Sequence, residues 1–279
     1  MSKNKEINLV LQGGGVKGLA YIGALRSFEE NGYVIKNISG SSIGAVIGSL
    51  IIAGYNSHEL EEIVNNLDYN IFMKRNSLKN GIKNKGLFST KHLERFLESL
   101  LLTKNIKTFN DIKIGNNYKA IFICTSLKHK RIFVLPHDLK LLNINPDNFP
   151  IAKAVIMSCS IPFFYEPYKL NNEYFYDGGI SDNYPLRCFT KGIALKLSNE
   201  KNYQKIFREN IFGKINNYND IKEIYINTNG YSATDFKKGF NNRYDLYKRG
   251  YYAIKNFLNL SKDDWYQVVL YLDKTLKIW

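Results

Sequence analysis

Residues 7–11 (INLVL) form a short apolar run that predicts a buried strand, and the glycines from Gly13 to Gly18 end it. Beyond them the period changes. Leu19, Ile22, Leu25 and Phe28 recur at helical spacing, so residues 19–30 are expected to form a helix with one face in the core. A second strand is predicted at 33–38, a polar, glycine-bearing corner at 39–42 and an apolar helix at 43–53. Further along, helices are predicted at 90–101 and 151–158, and paired strands at 118–125 and 131–135 about a Lys/His turn. Strands are expected again at 174–177 and 221–227, the second closed by a polar turn at 228–230. This alternation predicts an α/β fold. Residues 196–220 mix Lys, Asn and Tyr without a period and read as a surface insertion. No internal repeat and no long Pro/Gly/Ser linker divides the chain, so residues 7–258 are expected to form one domain. Residues 259–279, with Trp265, Tyr266 and Trp279, are expected to add a C-terminal helical extension packed on that domain.

Composition narrows the class. A chain of 279 residues that is 44% hydrophobic and 23% charged can bury a core, which excludes a disordered or fibrous protein. Lys and Arg number 39 against 25 Asp and Glu, and the resulting net charge of +14 attracts anionic surfaces such as phospholipid or nucleic acid. No zinc-finger spacing, ribonucleoprotein motif or long basic helix accompanies the charge, so no nucleic acid is expected as a partner. Cys124, Cys159 and Cys188 are an odd set without a CxxC pair, which points away from disulfides and zinc and toward a reducing, cytoplasmic compartment. The first residues lack the order of a secretory signal, and the longest apolar stretch, 44–54, falls well short of the roughly 20 residues that cross a bilayer. Neither a signal peptide nor a transmembrane segment is expected, and membrane contact would be peripheral.

The chemistry concentrates in two turns. Gly13, Gly14, Gly15, Lys17 and Gly18 follow a strand and open a helix, an arrangement that converges backbone N–H groups on one electropositive point. The same glycines satisfy G-x-G-x-x-G, but a dinucleotide site wants an acid at the end of the second strand, where this chain has Asn37-Ile38-Ser39-Gly40. Glu29 and Glu30 lie instead at the end of the first helix. The second turn, Gly40-Ser41-Ser42-Ile43-Gly44, fits G-x-S-x-G between a strand and a helix, with Ser42 at its centre. Ser39 and Ser41 read as polar residues capping a helix start.

A serine hydroxyl needs a base within hydrogen-bond reach. His58, His92, His129 and His137 lie near helix starts, in the Lys-rich turn and after Pro136, and read as surface or capping residues. None follows a late acid in the order of α/β-hydrolases. Asp177, which ends a strand before Gly178 and Gly179, is the better candidate.

Taken in order, Gly13-Gly14-Gly15-Val16-Lys17-Gly18, Gly40-Ser41-Ser42-Ile43-Gly44 and Asp177-Gly178-Gly179 resemble the patatin-like phospholipase family. The likeness extends to residues 85–88, 158–162 and 234–236, and covers about 7–258. The resemblance implies a three-layer α/β/α fold with a central, mostly parallel sheet and a Ser/Asp dyad acting on lipid acyl esters. It implies Ser42 as nucleophile, Asp177 as base, the N–H groups of Gly13, Gly14 and Gly15 as oxyanion hole, and no metal or other cofactor. The expected partners are a phospholipid or other acyl-ester lipid and an anionic membrane surface. A soluble esterase, a transacylase and a non-catalytic basic lipid-binding module remain alternatives at this stage.

Overall fold

A computed structural model of the chain describes residues 5–75, 86–198 and 220–259. Strand β1 (Lys5–Leu11) leads through the glycine turn and a 3-10 turn (Gly15–Leu19) into α1 (Ala20–Glu30). β2 (Tyr33–Ser41) and α2 (Ile43–Ile52) complete the two expected βα units. The strand runs on through the corner expected at 39–42, and Ser39 and Ser41 are fully buried in it. They are therefore sheet residues and not helix caps, and Ser42 alone makes the turn.

Next come α3 (Ser57–Asn66), β3 (Gly86–Phe88) and α4 (Lys91–Thr103). A minimal hairpin of β4 (Lys113–Ile114) and β5 (Asn117–Tyr118) precedes the antiparallel pair β6 (Ala120–Ser126) and β7 (Arg131–Leu135). Then follow α5 (Ile151–Cys159), β8 (Phe163–Tyr165), β9 (Tyr168–Leu170), β10 (Glu173–Asp177), β11 (Lys191–Ser198), β12 (Asp220–Asn227), α6 (Phe236–Asn241) and α7 (Arg243–Asn259). Helix α3 begins at the helix start expected near His58, with Leu60, Ile63 and Val64 at helical spacing against the core. Its signal is a capping box, in which Asn56 and Glu59 exchange side-chain to backbone hydrogen bonds. Glu29 completes that cap by accepting from the Ser57 N–H at 3.0 Å, which gives this carboxylate a structural task.

The main sheet runs β12-β11-β1-β2-β6-β10-β9, with β7 on the remaining edge of β6. From β12 to β6 the strands are parallel, while β7, β10 and β9 are antiparallel to their neighbours. Strand β11 corrects the start of the segment read as an insertion, because residues 196–198 pair with β12 inside the sheet. Lysines disguise it by interrupting the apolar run; Lys196 places its ammonium 5.7 Å from the Tyr184 ring and 5.3 Å from the Tyr225 ring. Residues 199–219 and the expected tail helix beyond Asn259 lie outside the described residues.

Helices flank the sheet. α1 packs on α7, which also covers β12, and α2 and α5 pack on β2, β6 and β10. Phe28, Ile38, Phe122 and Phe175 are fully buried between these layers, each worth about 1.5–3 kcal/mol relative to exposure. The stripe Leu246, Gly250, Ile254 turns α7 inward. A Cβ on Gly250 would sit 1.8 Å from the Ala20 carbonyl oxygen, so this helix pair requires glycine for its contact.

One strand decides where the chemistry lies. β6 has three partners; β2 pairs with residues up to Ile123 and β10 with residues from Cys124 onward, while β7 pairs along both stretches. β2 and β10 therefore share an edge of β6, meeting end to end. Ser41 is registered on Ile123 and Asp177 on the very next residue, Cys124.

Candidate active site

Ser42 sits at the end of β2 with φ 53° and ψ −124°, a backbone conformation that L-residues avoid. The turn is held from both sides. Ser42 donates its N–H to Ser158 Oγ at 2.9 Å, and Ser158 in turn donates to the Ile123 carbonyl at 2.6 Å. A Cβ on Gly40 would lie 2.5 Å from the Gly44 carbonyl carbon, so the strand and the helix can meet this sharply only without that atom. Gly44 packs likewise against the Leu11 carbonyl, and Gly18 against the Ile43 side chain.

Asp177 is 5% exposed. Its backbone N–H donates to the Ser160 carbonyl at 2.9 Å, and its Oδ1 accepts from the Gly179 N–H at 2.6 Å. Thr125 Oγ1 donates to its carbonyl at 3.0 Å. Oδ2 is buried without a hydrogen-bond donor. Burial pushes the carboxyl pKa up to about 6, and the Ser42 hydroxyl and the Gly179 N–H limit the rise. The Ser42 hydroxyl thus lies close enough to the carboxyl to favour its ionised form, while no donor among the described residues completes a hydrogen bond to Oδ2. Gly178 packs against the Ile123 carbonyl and the Ser41 hydroxyl, closing the floor under both residues.

The glycine turn reaches the same place. A Cβ on Gly13 would fall 3.2 Å from Ser42 Cβ. The three N–H groups expected to act together differ, however. Gly13 already donates to the Asn183 carbonyl at 3.0 Å, whereas no acceptor among the described residues takes the N–H of Gly14 or Gly15. Gly15 has φ +56°, and the neighbouring Val16 N–H donates to the Ala233 carbonyl at 2.9 Å, anchoring the turn from the far side. Lys17 is half-buried and its pKa is lowered by that burial.

Asn183 is the residue that sequence reasoning missed. Besides accepting from Gly13, it donates Nδ2 to the Gly13 carbonyl at 3.2 Å, and its Oδ1 lies against Gly179. One side chain thereby ties the glycine turn to the Asp177 loop. Its only signal in the sequence is its place six residues after Asp177. Ser158, the clamp on Ser42, is marked only as the first residue of the 158–162 segment in the family resemblance, which gives it no role.

None of the four histidines hydrogen-bonds Ser42 or Asp177. His58 and His92 are exposed. His137 packs edge-on against Tyr118, with ring centroids 5.4 Å apart. His129 is exposed as expected, and its Nε2 lies 3.0 Å from Oε2 of Glu173, which is 4% exposed and also accepts from Ser126. Among the described residues no three His, Cys, Asp or Glu side chains gather where a metal ion could be held, and no helix is long and apolar enough to cross a membrane.

A family model described as patatin-like phospholipase matches residues 9–189, which include every turn described above. The chain is 35% identical over 198 residues to the uncharacterized protein YqhO of Bacillus subtilis, across 66% of this chain and 67% of that one. It is 28% identical over 199 residues to a probable lipid hydrolase, 463L, of Invertebrate iridescent virus 6, across 71% of this chain and 66% of the viral one. Among solved structures, that of VipD from Legionella pneumophila superposes with a TM-score of 0.56 at 19% identity, over 92% of this chain and 67% of the other. At that identity the likeness is one of fold, a mostly parallel sheet between helices.

Proposed function

Since the chain belongs to the patatin-like phospholipase family, we propose that it is a lipid acyl hydrolase of phospholipase A type, with Ser42 as nucleophile and Asp177 as base. The observation that carries this reading is the register on β6, which sets Ser41 and Asp177 on consecutive residues and leaves Asp177 Oδ2 buried and free of donors beside Ser42. The probable lipid hydrolase from the virus supports the substrate class.

In the proposed reaction Ser42 Oγ attacks the ester carbonyl carbon while its proton passes to Asp177 Oδ2. The developing oxyanion accepts hydrogen bonds from the N–H groups of Gly14 and Gly15, which have no acceptor among the described residues. Gly13 contributes differently, its peptide being clamped by Asn183. The bond to the alcohol then breaks, the alkoxide takes the proton from Asp177, and an acyl-enzyme remains. Asp177, again ionised, removes a proton from water, which attacks the acyl carbon and releases the fatty acid as the proton returns to Ser42 Oγ.

A carboxylate at its ordinary pKa is a weak base at neutral pH. Burial brings Asp177 to about 6, which strengthens it while leaving it mostly ionised at neutrality. Preorganised donors supply most of the remainder, since removing one oxyanion donor typically costs on the order of a hundredfold or more in rate.

Mass spectrometry of products from phospholipid vesicles tests the reading directly. Wild type should release fatty acid and lysolipid and react covalently at Ser42 with a fluorophosphonate. Ser42→Ala and Asp177→Asn should lose hydrolysis, and undiminished hydrolysis by either would refute the dyad. Appearance of acyl groups on an added alcohol in place of free fatty acid would identify a transacylase.

A further inference from the structure

Two large apolar side chains stand in solvent on neighbouring strands close to the site. Phe163 is 84% exposed and Leu87 is 65% exposed. Their strands, β8 and β3, pair in parallel with Gly86 opposite Phe163 and Phe88 opposite Tyr165, so Leu87 is one residue on from the partner of Phe163. The next aromatics face inward; the Phe88 and Phe164 rings lie 4.7 Å apart, and Phe164 meets Phe236 at 6.0 Å. Phe163 is also held at φ 66°, an unfavourable conformation for a bulky aromatic residue. Neither packing nor backbone preference accounts for a phenyl ring held outward in this way.

Charge shows what covers it. Exposed Lys74 and Arg75 flank β3, Arg75 bridging Phe88 and Lys74 accepting the Ser89 N–H through its carbonyl at 2.9 Å, and exposed Lys91 follows. Of the acids at this rim, Glu166 accepts a hydrogen bond from Ser89 at 2.7 Å, and Glu94 lies one turn from Lys91 and interacts with it. Apolar tips inside a cationic collar match a phospholipid surface, where the tips enter the acyl boundary and the cations meet lipid phosphate. The position is also mechanically apt. Phe163 follows Ser160, whose carbonyl takes the Asp177 N–H, and Ser158, whose hydroxyl takes the Ser42 N–H.

We infer that Phe163 and Leu87, collared by Lys74, Arg75 and Lys91, form the anchor that seats this protein on an anionic lipid surface with the Ser42 site at the interface. The inference deepens the proposed lipid hydrolase and rests on it for the substrate, but binding can be read without turnover. The test is sedimentation of the full chain carrying Ser42→Ala with vesicles of phosphatidylcholine, with and without phosphatidylserine. Binding should require phosphatidylserine and weaken with salt. Phe163→Asn, which tolerates the left-handed backbone, and Leu87→Ser should each weaken it about tenfold, with thermal unfolding at no lower temperature than in the parent. In the otherwise wild-type chain, Phe163→Asn should slow hydrolysis of vesicle lipid and spare that of a soluble short-chain ester. Equal vesicle binding by both variants and the parent would overturn the inference. So would absence of binding to either vesicle, or a dimer of the parent that Phe163→Asn dissociates, which would assign the patch to a second copy of the chain. If Ser42→Ala hydrolyses lipid as wild type does, the dyad fails while the vesicle result stands.

Discussion

Asn183 grips both polar groups of the residue at the head of the glycine turn, accepting the Gly13 N–H at 3.0 Å and donating Nδ2 to the Gly13 carbonyl at 3.2 Å. The first bond uses the Asn183 backbone and survives substitution; the second does not. Asn183→Ala should therefore loosen the turn without dismantling it. A neutral hydrogen bond is worth about 1 kcal/mol, so kcat should fall roughly fivefold with KM within about twofold. Asn183→Asp removes the same donor and adds a negative charge near the proposed oxyanion, and its loss should be larger. Steady-state kinetics on a soluble ester read both effects, and a change confined to KM would show that the clamp serves binding instead.

The Asp177 carboxyl, raised by burial to about 6, must be ionised to accept a proton. The plot of log kcat/KM against pH should climb with a slope of about one below that value and level off above it. An inflection near the ordinary carboxylate value would mean that the residue is solvated in the working enzyme.

The same shift bears on stability with the opposite sign of benefit. A carboxyl whose folded pKa lies above its unfolded value of 3.8 favours folding in its protonated form; that contribution is complete below the unfolded value and is lost as pH rises through about 6. At neutral pH the buried charge costs on the order of 3 kcal/mol. Asp177→Asn keeps Oδ1 for the Gly179 N–H and puts an amide where Oδ2 has no donor. It should raise the calorimetric melting temperature by a few degrees at neutral pH, with the gain shrinking in acid, while abolishing hydrolysis.

Ser42 stores strain of its own. Its positive φ suits glycine, so Ser42→Gly should be more stable than Ser42→Ala by about 1 kcal/mol in urea unfolding, both being inactive. Equal stability would show that the turn relaxes once the hydroxyl is gone.

Much of this protein is local information. The strand-to-helix changes of period at residues 7–30 and 33–53 are visible because side chains on a buried strand and on a half-buried helix must recur differently. The two glycine-framed turns can be read for the same reason, since backbones that approach to van der Waals distance exclude Cβ atoms wherever they occur. Strand β11 escaped this reading because Lys196 broke its apolar run while its ammonium group found aromatic faces from other segments. Helix α7 stayed hidden because its inward stripe, Leu246, Gly250 and Ile254, makes sense only against α1. The site divides along the same line. That Ser42 and Asp177 are the candidate pair is written in their flanking glycines; that their strands end side by side depends on β6 holding β2 and β10 on one edge at adjacent residues. The spending of the Gly13 N–H on Asn183, the clamp of Ser158 on Ser42 and the burial that raises Asp177 are likewise contacts between distant segments. Hydrogen bonds and desolvation depend on what surrounds a group in space, and a linear order of residues does not contain that until the chain has folded.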